Sequence, residues 1–375
     1  MEYKFVENQT TLDAYINEIK NYPYIAVDTE FIRNNTYYPK LSLVQICFKP
    51  QFAIVIDCLS IKNLEPLIEV IYNPNIIKVF HSARQDLEIF YNKRGDLPKN
   101  IFDTQIAVML INFAKDTSYE KMIKALLNID IDKSLTNSDW LQRPLLLEQI
   151  QYAANDVLYL FEAYQIILKL LEKHQHLHWL ENLFAPLTDP KTFENRITKD
   201  ITKLSRDFSV ETLPLIYDLL IWREMLAKKL DLPRNNVLDI DIIKEIAKKQ
   251  PANKNILREI LRKEIDKKQL DEIFSIITSK RSLPLTIEKT PSLNQNQTEI
   301  YNILKIILSN SAIEQKVNEH LIASSEELID FIINKENSSA RFLHGWRFDI
   351  FGNKAIDFLN EEKSIKIRDN KVILE

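Results

Sequence analysis

An apolar run that leads into alternating acidic residues is the feature that most constrains this chain. Residues Tyr24 to Val27 are apolar, and Asp28, Thr29 and Glu30 follow them directly. In a β-strand alternate side chains share a face, so Asp28 and Glu30 are predicted to point the same way. Two like charges side by side are unfavourable unless a positive charge lies between them. The pattern therefore predicts a strand that presents two carboxylates to a divalent cation.

Two further carboxylates stand in contexts that could complete such a site. Asp86 follows an apolar, strand-like run at 76–80 and falls in the first turns of a predicted helix. Asp156 lies on another predicted helix that starts near Pro144, a residue suited to the first helical position. Tyr152 is four residues before Asp156, so the two side chains share a helix face. Hard cations such as Mg²⁺ take oxygen ligands, and a two-metal site needs several of them.

At these positions the sequence resembles the DEDD exonucleases, and within them the ribonuclease D family. The segments that carry the resemblance are Asp28 to Arg33, Thr36 to Pro39, Leu41 to Gln45, His81 with Asp86 to Glu88, Phe102 to Gln105, Ser138 to Trp140, Arg143 to Leu145 and Tyr152 to Val157. A lone pair of acidic residues would be weak evidence, whereas this ordered series is specific. The chain departs from the family at 112–118, where relatives usually carry glycines and this chain has none.

The last of these segments distinguishes two subfamilies. One type carries His five residues before its final Asp, and the other carries Tyr four residues before it. This chain has Gln151 and Tyr152, so the resemblance implies the tyrosine type. It also implies two bound divalent ions, Mg²⁺ or Mn²⁺. Their implied ligands are Asp28, Glu30, Asp86 and Asp156.

The implied activity is hydrolysis of RNA from its 3′ end, with release of nucleoside 5′-monophosphates one at a time. In this interpretation one ion activates water and the other stabilises the leaving 3′-oxyanion. A phenol with a pKa of about 10 is a poor base at neutral pH, so Tyr152 is expected to orient the attacking water. The implied partner is RNA, and the expected task is trimming of tRNA precursors at their 3′ ends.

Each of these residues also has an ordinary structural explanation. An isolated Asp at a strand end is commonly a turn or capping residue. Asp86 alone fits a first-turn charge that is stabilised by the helix dipole, and Asp156 alone fits a solvated helix position. A histidine in the context of His81 is more often a partly buried, hydrogen-bonded imidazole than a metal ligand, so it stays outside the predicted catalytic set. Three more residues could shape the cleft or contact RNA phosphates: Asp103, Trp140 and Arg143. Packing and helix entry explain these three residues equally well.

The resemblance implies an α/β ribonuclease H-like domain over residues 1–185, with a mixed sheet of five to six strands. Strand-like segments near 24–29, 41–48 and 51–57 are joined by short connections, which predicts an antiparallel meander. Strand and helix then alternate up to about residue 103, which predicts parallel additions to the sheet.

After about residue 185 the sequence is helical in pattern. Leu213 to Glu224 and Ala227 to Pro233 resemble the HRDC domain, a helical module, and predict a first such domain over 205–282. A weaker copy over 293–375 includes Leu343 to Arg347, and residues 282–292 have the composition of a linker. We therefore expect two all-α HRDC-like domains after the nuclease domain.

Two other functions share some of these features. A DNA-directed 3′-to-5′ exonuclease would carry the same four carboxylates, and only Tyr38-Pro39, Tyr152 and the HRDC modules argue against it. An HRDC protein that binds nucleic acid through an inactive nuclease domain would normally have lost a carboxylate, and this chain retains all four. Comparison of RNA with DNA as substrate separates the first alternative, and a cleavage assay separates the second.

Composition excludes several other classes. The only glycines are Gly95, Gly345 and Gly352, so the chain can form neither a P-loop nor a GxGxxG motif, and we expect no nucleotide-triphosphate cofactor. Cys47 and Cys58 lie in apolar contexts and are expected to be reduced. No stretch approaches the ~20 apolar residues of a membrane span. We expect a cytoplasmic monomer without a membrane partner.

Charge is unevenly distributed along the chain. The net charge is −4, whereas a nucleic-acid binder is usually basic. Residues 191–280 nevertheless hold 19 lysines and arginines against 15 acidic residues. These cations could meet phosphates, although a solvated helix face is the more common explanation for any single lysine.

Overall fold

A mixed six-stranded sheet forms the centre of the N-terminal half of the chain. The computed structural model describes residues 2–132, 134–136, 138–194, 196–262, 265–279, 293–368 and 371–375. The linker predicted at 282–292 lies outside the described residues. The strands of the sheet are β1 (Glu2–Val6), β2 (Tyr24–Ile32), β3 (Lys40–Lys49), β4 (Phe52–Asp57), β5 (Ile77–Phe80) and β6 (Ile101–Asp103).

The strand order is β1-β4-β3-β2-β5-β6. The pairs β2–β3 and β3–β4 are antiparallel, which confirms the predicted meander. Strands β5 and β6 are added in parallel beside β2, also as predicted. Strand β1, which pairs in parallel with β4, was not predicted from the sequence.

Helices cover both faces of this sheet, and alternate residues of β2 accordingly belong to two different hydrophobic clusters. Ala26 packs with the cluster that contains the longest helix, whereas Ile25 and Val27 pack with the cluster on the opposite face. The helices of the nuclease domain are α1 (Gln9–Ile19), α2 (Glu65–Tyr72), α3 (Arg84–Arg94), α4 (Thr104–Met109), α5 (Tyr119–Leu127) and α6 (Leu147–Lys173). Helix α6 covers the face of Ala26, and α1, α2 and α3 cover the other face.

Helix α6 begins at Leu147, three residues later than the predicted start near Pro144. Arg143, the residue before Pro144, forms an ion pair with Asp57 on β4 at 2.7 Å. This contact ties residues 143–146 to the sheet, ahead of the helix. The helix start is instead capped by Gln149, whose side-chain oxygen accepts the backbone N–H of Leu146 at 3.0 Å.

A helical bundle with its own core follows. Two short helices, α7 (Leu180–Phe184) and α8 (Lys191–Glu194), precede it and pack on the clusters that flank the sheet. The helices of the bundle are α9 (Arg196–Leu204), α10 (Leu213–Leu230), α11 (Arg234–Val237), α12 (Ile240–Lys249), α13 (Lys254–Leu261) and α14 (Lys267–Thr278). Apolar residues from α9 to α14 form a hydrophobic cluster separate from the two that flank the sheet. This region therefore has the independent core expected of an HRDC domain.

The C-terminal region lacks such independence. Its elements are α15 (Gln295–Gln315), α16 (Glu319–Ile322), α17 (Ser325–Asn334), α18 (Gly345–Arg347), α19 (Asn353–Leu359), β7 (Ile365–Arg368) and β8 (Lys371–Leu374). Strands β7 and β8 form a hairpin, where only helices were expected. The buried residues of this region, such as Phe342 and Phe351, belong to the same cluster as α6. The backbone N–H of Asn318 also donates to the carbonyl of Met109 at 2.8 Å.

Within the part of the chain that the structure describes, no helix combines the length and apolar character needed to cross a membrane. Cys47 is buried, Cys58 is partly buried, and both are free thiols, as expected.

Candidate active site

Three of the predicted carboxylates meet where β2 passes α6. Among the described residues, Asp28, Glu30 and Asp156 each offer one ligand oxygen, and these oxygens lie within 4.8 Å of one another. Strand alternation turns Asp28 and Glu30 to the face that α6 covers, and α6 supplies Asp156. Asp156 is buried, whereas Asp28 and Glu30 are partly exposed. The group is therefore partly open to solvent.

The electrostatics of this group suit a cation. Burial raises the pKa of Asp28 to about 6. Burial and the neighbouring charges of Asp28, Asp156 and Asp86 raise the pKa of Glu30 well above its usual range. Burial and Asp28 likewise raise the pKa of Asp156, although a hydrogen bond from Tyr152 opposes the shift. Three clustered carboxylate oxygens that repel one another fit a hard divalent ion, which would neutralise them.

Asp86 approaches from the other side of β2. It lies in the first turn of α3, is 6% exposed, and accepts a hydrogen bond at Oδ1 from the Thr29 hydroxyl. Burial and then the charge of Asp28 raise its pKa well above the usual range. The structure thus places Asp86 beside Asp28 and outside the group of three.

Tyr152 stands one helical turn before Asp156, as its spacing predicts. Its hydroxyl is 3.2 Å from the Thr136 hydroxyl, and its ring lies 6.1 Å from that of buried Trp140. Burial and the Asp156 carboxylate raise the pKa of Tyr152 above its already high normal value. The phenol therefore stays protonated at neutral pH and can donate a hydrogen bond.

A cleft of about 230 Å³ opens at the carboxylates. It is lined by Asp28, His81, Tyr119, Glu120, Ile131, Thr136, Tyr152, Asp156 and Leu160. Sequence reasoning missed Tyr119, whose hydroxyl donates to the backbone carbonyl of Asp156, and Thr136. Only their position between recognised family segments could have drawn attention to them.

A second, larger groove continues from this cleft. It measures about 700 Å³ and is lined by residues at 31–36, Lys40, Thr136 and residues at 138–141. Thr136 borders both openings, so the groove leads from the end of β2 to the carboxylates.

His81 lines the cleft but has both ring nitrogens engaged. Nδ1 lies 3.0 Å from the Thr104 hydroxyl, and Nε2 lies 3.1 Å from the carbonyl of Thr117. Burial lowers the pKa of His81 to about 4. These contacts agree with its place outside the predicted catalytic set.

In the glycine-poor loop, Asn112 (φ 68°) and Asp116 (φ 56°) adopt the left-handed conformation that glycine usually supplies.

Packing accounts for the other residues singled out from the sequence. Asp103 accepts the backbone N–H groups of Ser82 and Ala83 at 3.1 and 2.9 Å. Arg143 forms a two-pronged ion pair with Asp57, at 2.8 and 2.7 Å, and Asp57 was not anticipated. These contacts support the structural explanation over a role in RNA contact.

The helical bundle contacts the loop that follows β2, the strand that carries Asp28 and Glu30. The loop after β2 inserts Tyr37, whose hydroxyl donates to the Glu224 carboxylate and accepts from Arg234 Nη2 at 2.9 Å. The backbone N–H of Tyr38 donates to Asp231 at 3.0 Å. Residues typical of the nuclease and HRDC motifs therefore form the interface between the two regions.

Comparison with known proteins agrees with this geometry. Residues 3–172 match the family model described as 3′-5′ exonuclease, and residues 213–278 match the HRDC domain model. Ribonuclease D of Bartonella henselae is 31% identical over 98% of this chain and 93% of that protein. Ribonuclease D of Gluconacetobacter diazotrophicus is 33% identical over 92% of this chain and 90% of that protein.

The fold is similar to that of a solved relative. The crystal structure of Escherichia coli RNase D, an exoribonuclease, matches with a TM-score of 0.78 at 24% identity, over 96% of this chain and 99% of that chain. The α/β nuclease domain and the helical HRDC region are thus arranged as in that fold. By sequence along nearly its whole length, the chain belongs to the ribonuclease D family and is a 3′-to-5′ exoribonuclease.

Proposed function

We propose that this exoribonuclease trims the 3′ ends of tRNA precursors with the help of two divalent cations, Mg²⁺ or Mn²⁺. The observation that carries the proposal is the group of three carboxylates, whose oxygens lie within 4.8 Å of one another beside a fourth. The proposed metal ligands are Asp28, Glu30, Asp86 and Asp156. Together with Tyr152 they make up the proposed catalytic set.

The carboxylates of the proposed set would supply ligands for two positions. Asp28, Glu30 and Asp156 would hold one cation, and Asp86 with Asp28 would supply oxygens for the other. Bound divalent ions of this kind lower the pKa of a bound water and stabilise the leaving 3′-oxyanion. Tyr152 keeps its proton and donates a hydrogen bond that orients the attacking water.

The shape of the site supports a single-stranded 3′ end as substrate. The cleft of about 230 Å³ at the carboxylates would accept a terminal nucleotide of an unpaired end. The adjoining groove offers the polar side chains Asn34, Asn35 and Thr36 and the cations Arg33 and Lys40 along the approach. Escherichia coli RNase D is described as involved in structured RNA processing, which suits a folded RNA with a short 3′ extension.

We propose three units along the chain: a nuclease domain at 1–185, an HRDC domain at 205–282 and an HRDC-like domain at 293–375. The separate hydrophobic cluster of α9 to α14 supports the middle unit. Its region carries the excess of lysine and arginine, which would hold the body of the RNA through phosphates. We also propose that the enzyme acts as a monomer.

The test uses a 5′-labelled tRNA with a short 3′ extension, incubated with Mg²⁺ or Mn²⁺. Mature tRNA, a blunt RNA hairpin and a single-stranded DNA of the same 3′ sequence serve as comparisons. We expect removal of the extension, slowing at the paired acceptor stem, and nucleoside 5′-monophosphates as products. Equal cleavage of the DNA, or no preference for the extended tRNA, would contradict the proposal.

A further inference from the structure

We propose that Thr29 is a positioning residue that aims the Asp86 carboxylate at Asp28 and thereby builds the second cation position. The inference rests on the proposed two-ion function. It assigns a role to the residue between the two acidic residues of β2, to which the proposed reaction gives none.

Strand geometry places Thr29 where it can act in this way. Asp28 and Glu30 point to the face covered by α6, so Thr29 points to the face covered by α3. Thr29 and Asp86 are both 6% exposed, and their hydrogen bond joins Oγ1 to Oδ1. Residues 28–30 therefore present the carboxylates of Asp28 and Glu30 on one face of the sheet and the hydroxyl of Thr29 on the other.

The hydrogen bond from Thr29 restricts rotation of the Asp86 carboxylate, and this rotation decides where its oxygens point. A terminal carboxylate rotates broadly about its last torsion, and a single fixed donor selects one orientation. Because a hydroxyl donates one hydrogen bond, Thr29 engages Oδ1 and leaves Oδ2 to act as a ligand oxygen.

The helix that bears Asp86 is tied to the same strand. Arg33 Nη2 lies 2.9 Å from Glu88 Oε1, two residues along α3 from Asp86. This partly exposed ion pair joins the helix to the residue after β2, whereas Thr29 contacts the Asp86 carboxylate itself. Partners that orient metal ligands typically contribute about 10- to 100-fold to metal affinity.

The experiment measures Mn²⁺ binding to the full chain by calorimetric titration, with AMP present as a product of the proposed reaction. Thr29→Val keeps the branched shape and removes the donor, Thr29→Ser restores a donor, and Asp86→Asn marks loss of the second position. Thr104→Val is the matched control, since Thr104 is a buried threonine whose hydroxyl donates to the backbone carbonyl of Phe80 at 3.0 Å.

We expect two Mn²⁺ ions in the unaltered chain. Thr29→Val should weaken the second ion about 10- to 100-fold and leave the first unchanged, with Thr29→Ser close to the unaltered chain. In an Asp86→Asn background, Thr29→Val should have no further effect on binding, which also guards against a general folding defect.

Two results would overturn the inference, and they are distinguishable. If Thr29→Val binds both ions normally while Asp86→Asn loses one, or if Thr29→Val weakens binding even with Asn at 86, Thr29 does not act through Asp86. If the unaltered chain binds a single Mn²⁺, or Asp86→Asn binds two normally, the two-ion function itself fails and the inference fails with it.

Discussion

Trp179 and Trp346 stack with their ring centroids 4.3 Å apart and their planes 10° from parallel. His176 stacks on the other face of Trp179 at 4.2 Å, and the guanidinium of Arg347 lies 4.3 Å from the ring centre of Trp346. The stack joins the end of the nuclease domain to the C-terminal region. This region therefore stabilises the nuclease domain through a shared core.

Replacing Trp346 by Ala should destabilise the whole protein. The indole is 7% exposed, and removing a buried Trp typically costs about 3–5 kcal/mol of unfolding free energy. Urea denaturation followed by circular dichroism measures the loss. Ile313→Ala is the control, because Ile313 is 70% exposed and its truncation should change stability by less than about 0.5 kcal/mol. Similar stability of the two variants would show that the stack contributes little.

Asp57→Asn should also be strongly destabilising at neutral pH. Asp57 is 1% exposed, and its loss of charge leaves Arg143 without its ionic partner, which typically costs about 3–5 kcal/mol. Burial raises the pKa of Asp57, but Arg143, Ser60 and the Leu59 N–H outweigh it and lower the pKa overall.

The sign of this shift predicts a pH window. Because the folded pKa is depressed, the stabilisation is present above the unfolded value of about 3.9 and is lost as pH falls through the folded pKa. The difference in stability from Asp57→Asn should be constant at pH 5–8 and shrink in stronger acid. Asp96→Asn, at an exposed acidic residue, should match the unaltered chain, and a full difference persisting in acid would contradict the assignment.

Divalent cations should stabilise the protein more at high pH than at low pH. Burial raises the pKa of Asp28 to about 6, so protons compete with the cation for the same oxygens below that value. Without metal, the contribution of Asp28 to stability is full below the unfolded pKa of about 3.9 and is lost as pH rises through about 6. Melting temperatures with Mn²⁺ and with EDTA, between pH 5 and 8, measure both trends. Asp28→Asn should abolish the stabilisation by Mn²⁺. A rise in melting temperature with Mn²⁺ that is the same at every pH would contradict the predicted competition with protons.

Tyr152→Phe should lower kcat by about 100-fold and leave RNA and Mn²⁺ affinity unchanged, because the hydroxyl is expected to orient the attacking water. The raised pKa of Tyr152 also means that the rate should not climb with the ionisation of an ordinary phenol near pH 10. Tyr159→Phe is the control, because Tyr159 lies on the same helix about two turns after Tyr152. Single-turnover cleavage gives the comparison, and a Tyr152→Phe rate within threefold of the control would exclude the role.

Local periodicity in the sequence accounts for the parts of the site that could be predicted. Alternation in β2 places Asp28 and Glu30 on one face, and four-residue spacing places Tyr152 with Asp156. The face from which Asp86 approaches depends on how α3 packs, which the sequence near Asp86 does not encode.

Pairings between distant residues account for most of what could not be predicted. Strand β1 is short and its residues Glu2 to Phe5 alternate between polar and aromatic, so it is recognisable only from its pairing with β4. Arg143 and Asp57 are 86 residues apart. Their contact, like the stack of Trp179 on Trp346, follows from tertiary packing, and no local pattern signals it.

The most direct test of the central claim follows a 5′-labelled RNA with a single-stranded 3′ end, comparing the unaltered chain with Asp28→Ala. We predict a ladder that shortens from the 3′ end with Mg²⁺ or Mn²⁺, no cleavage with EDTA, and none by Asp28→Ala. Glu69→Ala, at an exposed acidic residue on α2, should cleave like the unaltered chain. Shortening that persists in EDTA, or undiminished cleavage by Asp28→Ala, would contradict a reaction that depends on metal at these carboxylates.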